Sequence, residues 1–257
     1  MNRIDHLFQV KTSGIVSVYF TAGYPKLDDT TEIIRALAAR GTDLIEIGVP
    51  FSDPMADGKT IQNSSTIALK NGMTMKKLFE QLKDIRRDVT IPLILMGYLN
   101  PVMQYGIEHF CQSCAEIGID GVILPDLPLN DYLRDFKPLA DKYDLRFTML
   151  ITPETSDERI KLIDQHTNGF IYMVSTAATT GTQDHFSDST IQYFERINTM
   201  KLRNPRLIGF GISNPETLQA AQQHAAGAII GSGFIKTLDS TSTIPQAVEK
   251  LYHQLGL

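Results

Sequence analysis

The chain has 257 residues, of which 42% are hydrophobic and 21% charged, with ordinary glycine (18) and proline (12) usage. A disordered or fibrous protein is thereby excluded, and a sizeable buried core is available. Lys and Arg number 24 against 29 Asp and Glu, a net charge of -5 with no block of like charges, which argues against a nucleic-acid surface or a basic membrane patch and for a small ligand.

Eight β-branched runs predict strands at 15–22, 44–50, 91–98, 121–125, 145–152, 169–175, 206–212 and 226–231, each followed by a helix signal. The helix signals include Asp28-Asp29-Thr30-Thr31-Glu32 before a periodic run ending at Gly41, Ser156-Asp157-Glu158 before Ile160, and Asn214-Pro215-Glu216. Unbroken strand–helix alternation means a parallel sheet. Eight units of about 32 residues close a barrel rather than an open sheet. The expected fold is therefore α/β, a (β/α)8 TIM barrel in which residues 1–257 form one domain. An open dinucleotide-binding sheet is disfavoured because the first strand runs into Thr21-Ala22-Gly23-Tyr24-Pro25-Lys26, without the glycine fingerprint such a sheet needs. Strand starts lie 47 residues apart after the second strand (44 to 91) and 37 after the sixth (169 to 206), and the extra chain predicts functional loops there.

No run approaches the roughly 18 apolar residues of a membrane span, and Asp5 and His6 stand where a signal peptide needs its apolar segment, so a cytoplasmic protein is expected. The only cysteines, Cys111 and Cys114, form a C-x-x-C that reads either as a redox or metal motif or as two small apolar residues one helical turn apart; no second pair completes a metal shell. The histidines are scattered, as surface residues are.

Glu46 lies inside the apolar run Leu44-Ile45-Glu46-Ile47-Gly48-Val49-Pro50, where burying a charge is costly without a purpose or a partner. In a barrel the strand C-termini form the active-site floor, so Glu46 reads as an acid–base group of raised proton affinity; the alternative is a structural pair with a lysine. The loop that follows, from Phe51 to Lys59, holds Asp53 and Asp57, which either reach over the mouth or serve turn chemistry beside Pro54 and Gly58. Gly209-Phe210-Gly211-Ile212-Ser213 and Gly227-Ala228-Ile229-Ile230-Gly231-Ser232-Gly233 each end a strand and open onto a helix. Barrels bind phosphate at this place, and backbone N–H groups with a helix N-terminus can hold it without Lys or Arg; tight turns are the alternative. The small, polar loop from Ser175 to Gln183 reads as a lid or as a plain surface loop.

These segments resemble the tryptophan synthase alpha subunit family from the first strand to the eighth. The resemblance rests on Ile45-Glu-Ile-Gly-Val-Pro-Phe-Ser-Asp-Pro-Met-Ala-Asp-Gly58 with Ile61-Gln62, supported by Phe20-Thr-Ala-Gly-Tyr-Pro25, Ile123-Leu-Pro-Asp-Leu-Pro128, Gly169-Phe-Ile-Tyr-Met-Val-Ser175 with Thr180-Gly181, Gly209-Phe-Gly-Ile-Ser213 and Gly231-Ser232. It implies retro-aldol cleavage of indole-3-glycerol phosphate, without metal or Schiff base. It further implies Glu46 as the acid–base residue and Asp57 as the carboxylate that stabilises positive charge on the indole nitrogen. Gly181, Gly211, Gly231 and Ser232 would hold the phosphate; Phe20, Ile61, Leu95, Tyr172 and Phe210 would wall the indole pocket, with Thr180 and Gly209 also in the substrate site. The resemblance also implies a beta-chain partner carrying pyridoxal phosphate, an alpha2-beta2 heterotetramer with no cofactor in this chain, and Pro50, Ser52, Asp53 and Pro54 at the contact.

Three positions depart from the family pattern. Lys59 stands where proline is usual after Asp-Gly, Met96-Gly97-Tyr98-Leu99 replaces a more polar and aromatic run, and Thr176-Ala177 replaces longer or basic side chains. A Schiff-base aldolase would need a lysine at a strand end, and none of the eight runs contains one; Lys59 falls in a loop and Lys236 in a helix. A ligand-sensing barrel without turnover would have no use for both Glu46 and Asp57.

Overall fold

The computed structural model describes residues 1–175 and 185–257. Its centre is a closed parallel barrel in sequence order, β1 (Ile15–Thr21), β2 (Leu44–Gly48), β3 (Leu93–Met96), β4 (Gly121–Ile123), β5 (Arg146–Ile151), β6 (Ile171–Val174), β7 (Arg206–Gly209) and β8 (Gly227–Ile230), with β8 pairing back onto β1. All eight expected strands are present. Each is shorter than its apolar run.

Strand alternation sorts the core into two shells. Val16, Val18 and Phe20 of β1, Ile45 and Ile47 of β2, and Leu93 and Leu95 of β3 face outward and pack under the helices. Ile15 and Tyr19, Leu44, Ile94 and Met96, and Tyr172 and Val174 form the inner cluster. Tyr19 pairs with Glu46 across β1 and β2, and Glu46 with Ile94 across β2 and β3, so Glu46 belongs to the inner layer.

Helix Arg3–Val10 closes the far end of the barrel. Ile4 and Leu7 join the inner cluster, while Asn2 donates to the carbonyls of Asp120 (2.9 Å) and Asp144 (2.7 Å). The barrel floor is thus sealed, and ligand access is from the strand C-termini.

The helix signals are realised locally. Helix Thr30–Arg40 ends at Gly41 with φ 97°, Ser156 caps helix Asp157–His166, and Asn214 with Thr217 forms a capping box on helix Pro215–His224. The long second unit spends its extra chain on the mouth loop and on two helices, Lys59–Lys70 and Met75–Leu82. Cys111 and Cys114 lie buried on helix Ile107–Ile117 in the outer shell, where burial pushes the Cys111 thiol up to about 12; here the C-x-x-C packs as small apolar residues. No described helix is long and apolar enough to cross a membrane.

Candidate active site

An open cavity of ≈ 660 Å³ lies over the strand C-termini, and both Glu46 and Asp57 line it. They reach it by different routes. Glu46 comes from β2 and is fully buried, with Oε1 accepting a hydrogen bond from Ser17 Oγ at 2.9 Å and Oε2 without a partner among the described residues. It makes no ion pair among the described residues, so the lysine-pair alternative does not hold. Burial pushes its carboxyl up to about 8, opposed by the Ser17 hydroxyl.

Asp57 is carried by the loop after β2 and is also buried. Tyr98, just beyond β3, donates to Asp57 Oδ2 at 2.9 Å and accepts from the Ala56 N–H at 3.0 Å, and Gln62 Nε2 donates to the Asp57 carbonyl at 2.7 Å. The Tyr98 ring also packs against Phe51, with centroids 5.3 Å apart. Burial raises the Asp57 carboxyl to about 6, opposed by the Tyr98 hydroxyl and less than at Glu46 because Asp57 is less deeply enclosed. At neutral pH the pair is therefore split, with a mostly protonated Glu46 beside a mostly ionised Asp57.

The two glycine segments meet at the same cavity. Phe210 and Gly211 take φ of 71° and 76°, and the turn is pinned by Ser175 Oγ donating to the Phe210 carbonyl at 2.7 Å. Helix Ser232–Asp239 starts at Gly231, which has no side chain to cap the first N–H groups. Gly211, Gly231 and Ser232 all line the cavity. This is the arrangement that holds a phosphate by backbone donors and helix dipole.

Of the expected pocket walls, Ile61, Tyr172 and Phe210 line the cavity. Three expectations are corrected. Phe20 is fully buried in the outer shell and its neighbour Tyr19 faces the cavity; Leu95 likewise points outward, and Met96 takes its place. The slip is one residue in each strand, which reverses the face. Gly209 does not line the cavity: it makes room for Tyr172, whose Cζ would lie 2.5 Å from a Cβ at that position. Thr180 and Gly181, like Thr176 and Ala177, lie outside the described residues.

Ser17 and Tyr98 were not singled out from the sequence for their contacts to the two carboxylates. A polar Ser17 two residues from Tyr19 and four from Thr21 marks the inner face of β1 and could have fixed its parity. Along the mouth loop Pro50 is buried, Pro54 half-buried, and Ser52 and Asp53 are exposed, with Ser52 Oγ donating to Asp53 at 2.5 Å. Met55 beside them is 92% exposed.

The family model for the tryptophan synthase alpha chain matches residues 6–256. The tryptophan synthase alpha chain of Parabacteroides distasonis is 60% identical over 255 residues, covering 99% of each chain. Among solved structures, the alpha chain from Legionella pneumophila superposes with TM-score 0.87 at 31% identity, covering 99% of this chain and 96% of that one. A chain of the tryptophan synthase complex from Pyrococcus furiosus gives TM-score 0.86 at 32% identity, covering 96% and 100%. The chain belongs to the tryptophan synthase alpha chain family.

Proposed function

We propose that the chain cleaves indole-3-glycerol phosphate to indole and glyceraldehyde 3-phosphate, and that the indole passes to a tryptophan synthase beta chain for L-tryptophan synthesis. The observation that carries this reading is the pair of buried carboxylates with separated proton affinities, facing one cavity that the N-terminus of helix Ser232–Asp239 also lines.

The reaction needs two proton movements. The indole ring carbon that bears the side chain takes up a proton, which makes the bond to the glycerol carbon labile and places positive charge on the ring nitrogen. As that bond breaks, the hydroxyl on the departing carbon loses its proton and becomes the aldehyde, and the bond's electron pair returns to the ring to give neutral indole. Glu46, which holds a proton at neutral pH, is assigned to the proton transfers; Asp57, ionised there, stabilises the charge on nitrogen. Gly211, Gly231 and Ser232, with Gly181 of the sixth loop, bind the phosphate, Thr180 belongs to the substrate site, and Tyr19, Ile61, Met96, Tyr172 and Phe210 enclose the indole.

The reading places the chain in an alpha2-beta2 heterotetramer in the cytoplasm. Pyridoxal phosphate belongs to the beta chain, while the alpha chain works without a cofactor, and Pro50, Ser52, Asp53 and Pro54 lie at the contact. Release of indole from indole-3-glycerol phosphate by the purified chain, measured alone and with a beta chain, tests it. Indole formation that rises with the partner is expected; substrate binding without indole in either case would instead make the barrel a ligand sensor.

A further inference from the structure

Ser17 is out of character for its position. β1 sends Ile15 and Tyr19 into the inner cluster, and Ser17 stands between them, fully buried, where an alanine or valine would pack without leaving a polar group to satisfy. Its hydroxyl has one proton, and that proton goes to Glu46 Oε1 at 2.9 Å. The other oxygen, Oε2, has no partner among the described residues, while Glu46 itself lines the cavity. Ser17 itself does not line the cavity, and it engages only one of the two oxygens of Glu46.

We propose that Ser17 is a positioning residue for Glu46, anchoring Oε1 so that Oε2 is presented to the ligand in a single orientation. This rests on the assignment of Glu46 to the proton transfers. A hydroxyl that donates to a carboxylate stabilises the ionised form, so Ser17 also opposes the effect of burial on the proton affinity of Glu46. The other titratable groups that share the cavity with Glu46 are Tyr19 from β1, Tyr172 from β6, Asp57 from the loop after β2 and Lys59 at the rim; β3 contributes only apolar Ile94 and Met96 to this layer. All of them are left in place by a change at Ser17.

The test compares Ser17→Ala and Ser17→Cys, a near-isosteric weak donor, with the parent chain and with Glu46→Gln. Two quantities are read: kcat and KM for indole release, and the titration of the Glu46 carboxyl by carbon NMR, its signal assigned by its absence in Glu46→Gln. In Ser17→Ala the titration midpoint should rise by about one pH unit, and kcat should fall about tenfold with KM little changed. Ser17→Cys should lie between that variant and the parent. An unmoved midpoint together with an inactive Glu46→Gln would overturn the inference and leave the reaction assignment standing. A near-normal Glu46→Gln would instead overturn the role of Glu46, with the NMR midpoint still deciding whether Ser17 controls its carboxyl.

Discussion

The Tyr98 hydroxyl lies between the mouth loop and its carboxylate, donating to Asp57 Oδ2 at 2.9 Å while accepting from the Ala56 N–H at 3.0 Å. One side chain from the end of β3 thereby fixes both the backbone and the charge of a loop that starts from β2. Tyr98→Phe removes both bonds and keeps the ring against Phe51. Asp57 then loses the group that stabilises its ionised form, so its carboxyl rises further above about 6. If Asp57 acts ionised, as proposed, the acidic limb of the kcat/KM profile should move to higher pH and kcat should fall about tenfold. A profile identical to the parent's would remove Tyr98 from the control of Asp57.

Two tyrosines at the mouth depend on glycines of the neighbouring strand. A Cβ at Gly48 of β2 would lie 2.5 Å from Cζ of Tyr19 on β1, and one at Gly209 of β7 would lie 2.5 Å from Cζ of Tyr172 on β6. Gly48→Ala must therefore displace Tyr19, at a cost of about 1–3 kcal/mol for overpacking. The hydroxyl is the Tyr19 atom nearest that Cβ, so adding Tyr19→Phe should recover part of both stability and indole release. A double-mutant cycle by denaturant unfolding measures this coupling; strictly additive losses would mean that the ring does not meet the new methyl group.

The strand count and barrel closure were legible because eight β-branched runs recur between helix signals, and parallel strands buried on both faces need little else to be recognised. That double burial also hid the parity. β1 is buried at every position, so nothing apolar or polar distinguished Phe20 from Tyr19 except Ser17 and Thr21 on the inner face. Glu46 was visible as a charge in an apolar run. Asp57 was not separable from turn chemistry without the family resemblance, and the donors that position the two carboxylates lie 29 and 41 residues away in sequence, contacts that only the closed barrel creates.

Glu46 should cost the fold stability at high pH. Its carboxyl rises from 4.5 in an unfolded chain to about 8 in the barrel, so the folded state binds the extra proton, and stability present below pH 4.5 is lost as pH rises toward 8. Glu46→Gln does not titrate and keeps an oxygen that can accept from Ser17. Its stability relative to the parent should therefore grow between those two values and level off above them, reaching the order of a few kcal/mol. Asp57 titrates alike in both proteins and cancels. Indole release should fall by roughly 10²–10⁴-fold with the fold intact. Thermal unfolding at pH 6 and pH 9 checks the first point, and equal stability differences at the two pH values would contradict it.

Gly211 combines a φ of 76° with a place on the cavity wall. Gly211→Ala forces an L side chain into the left-handed region and shifts the turn to which the proposal assigns the phosphate donors. Inorganic phosphate should then bind about tenfold more weakly while indole binding changes little, both read by calorimetry. Equal losses for the two ligands would detach Gly211 from the phosphate end of the cavity.

Lys59 opens helix Lys59–Lys70 directly after Gly58, whose φ of -74° and ψ of 164° suit a residue that precedes proline. At the first helical position the N–H has no intrahelical acceptor, so a proline there costs no helix hydrogen bond. Lys59→Pro should therefore stabilise the protein by about 0.5 kcal/mol through a less flexible unfolded chain, raising Tm by roughly 1–2 °C. Asp57 lies two residues before this position, on the loop that the helix start anchors. Because the same restraint narrows the conformations open to that loop, kcat for indole release should be retained or rise. A drop in Tm would show that the lysine stem packs over the cavity rim, and an unchanged Tm with lower kcat would show that Asp57 needs the freedom that Lys59 leaves it.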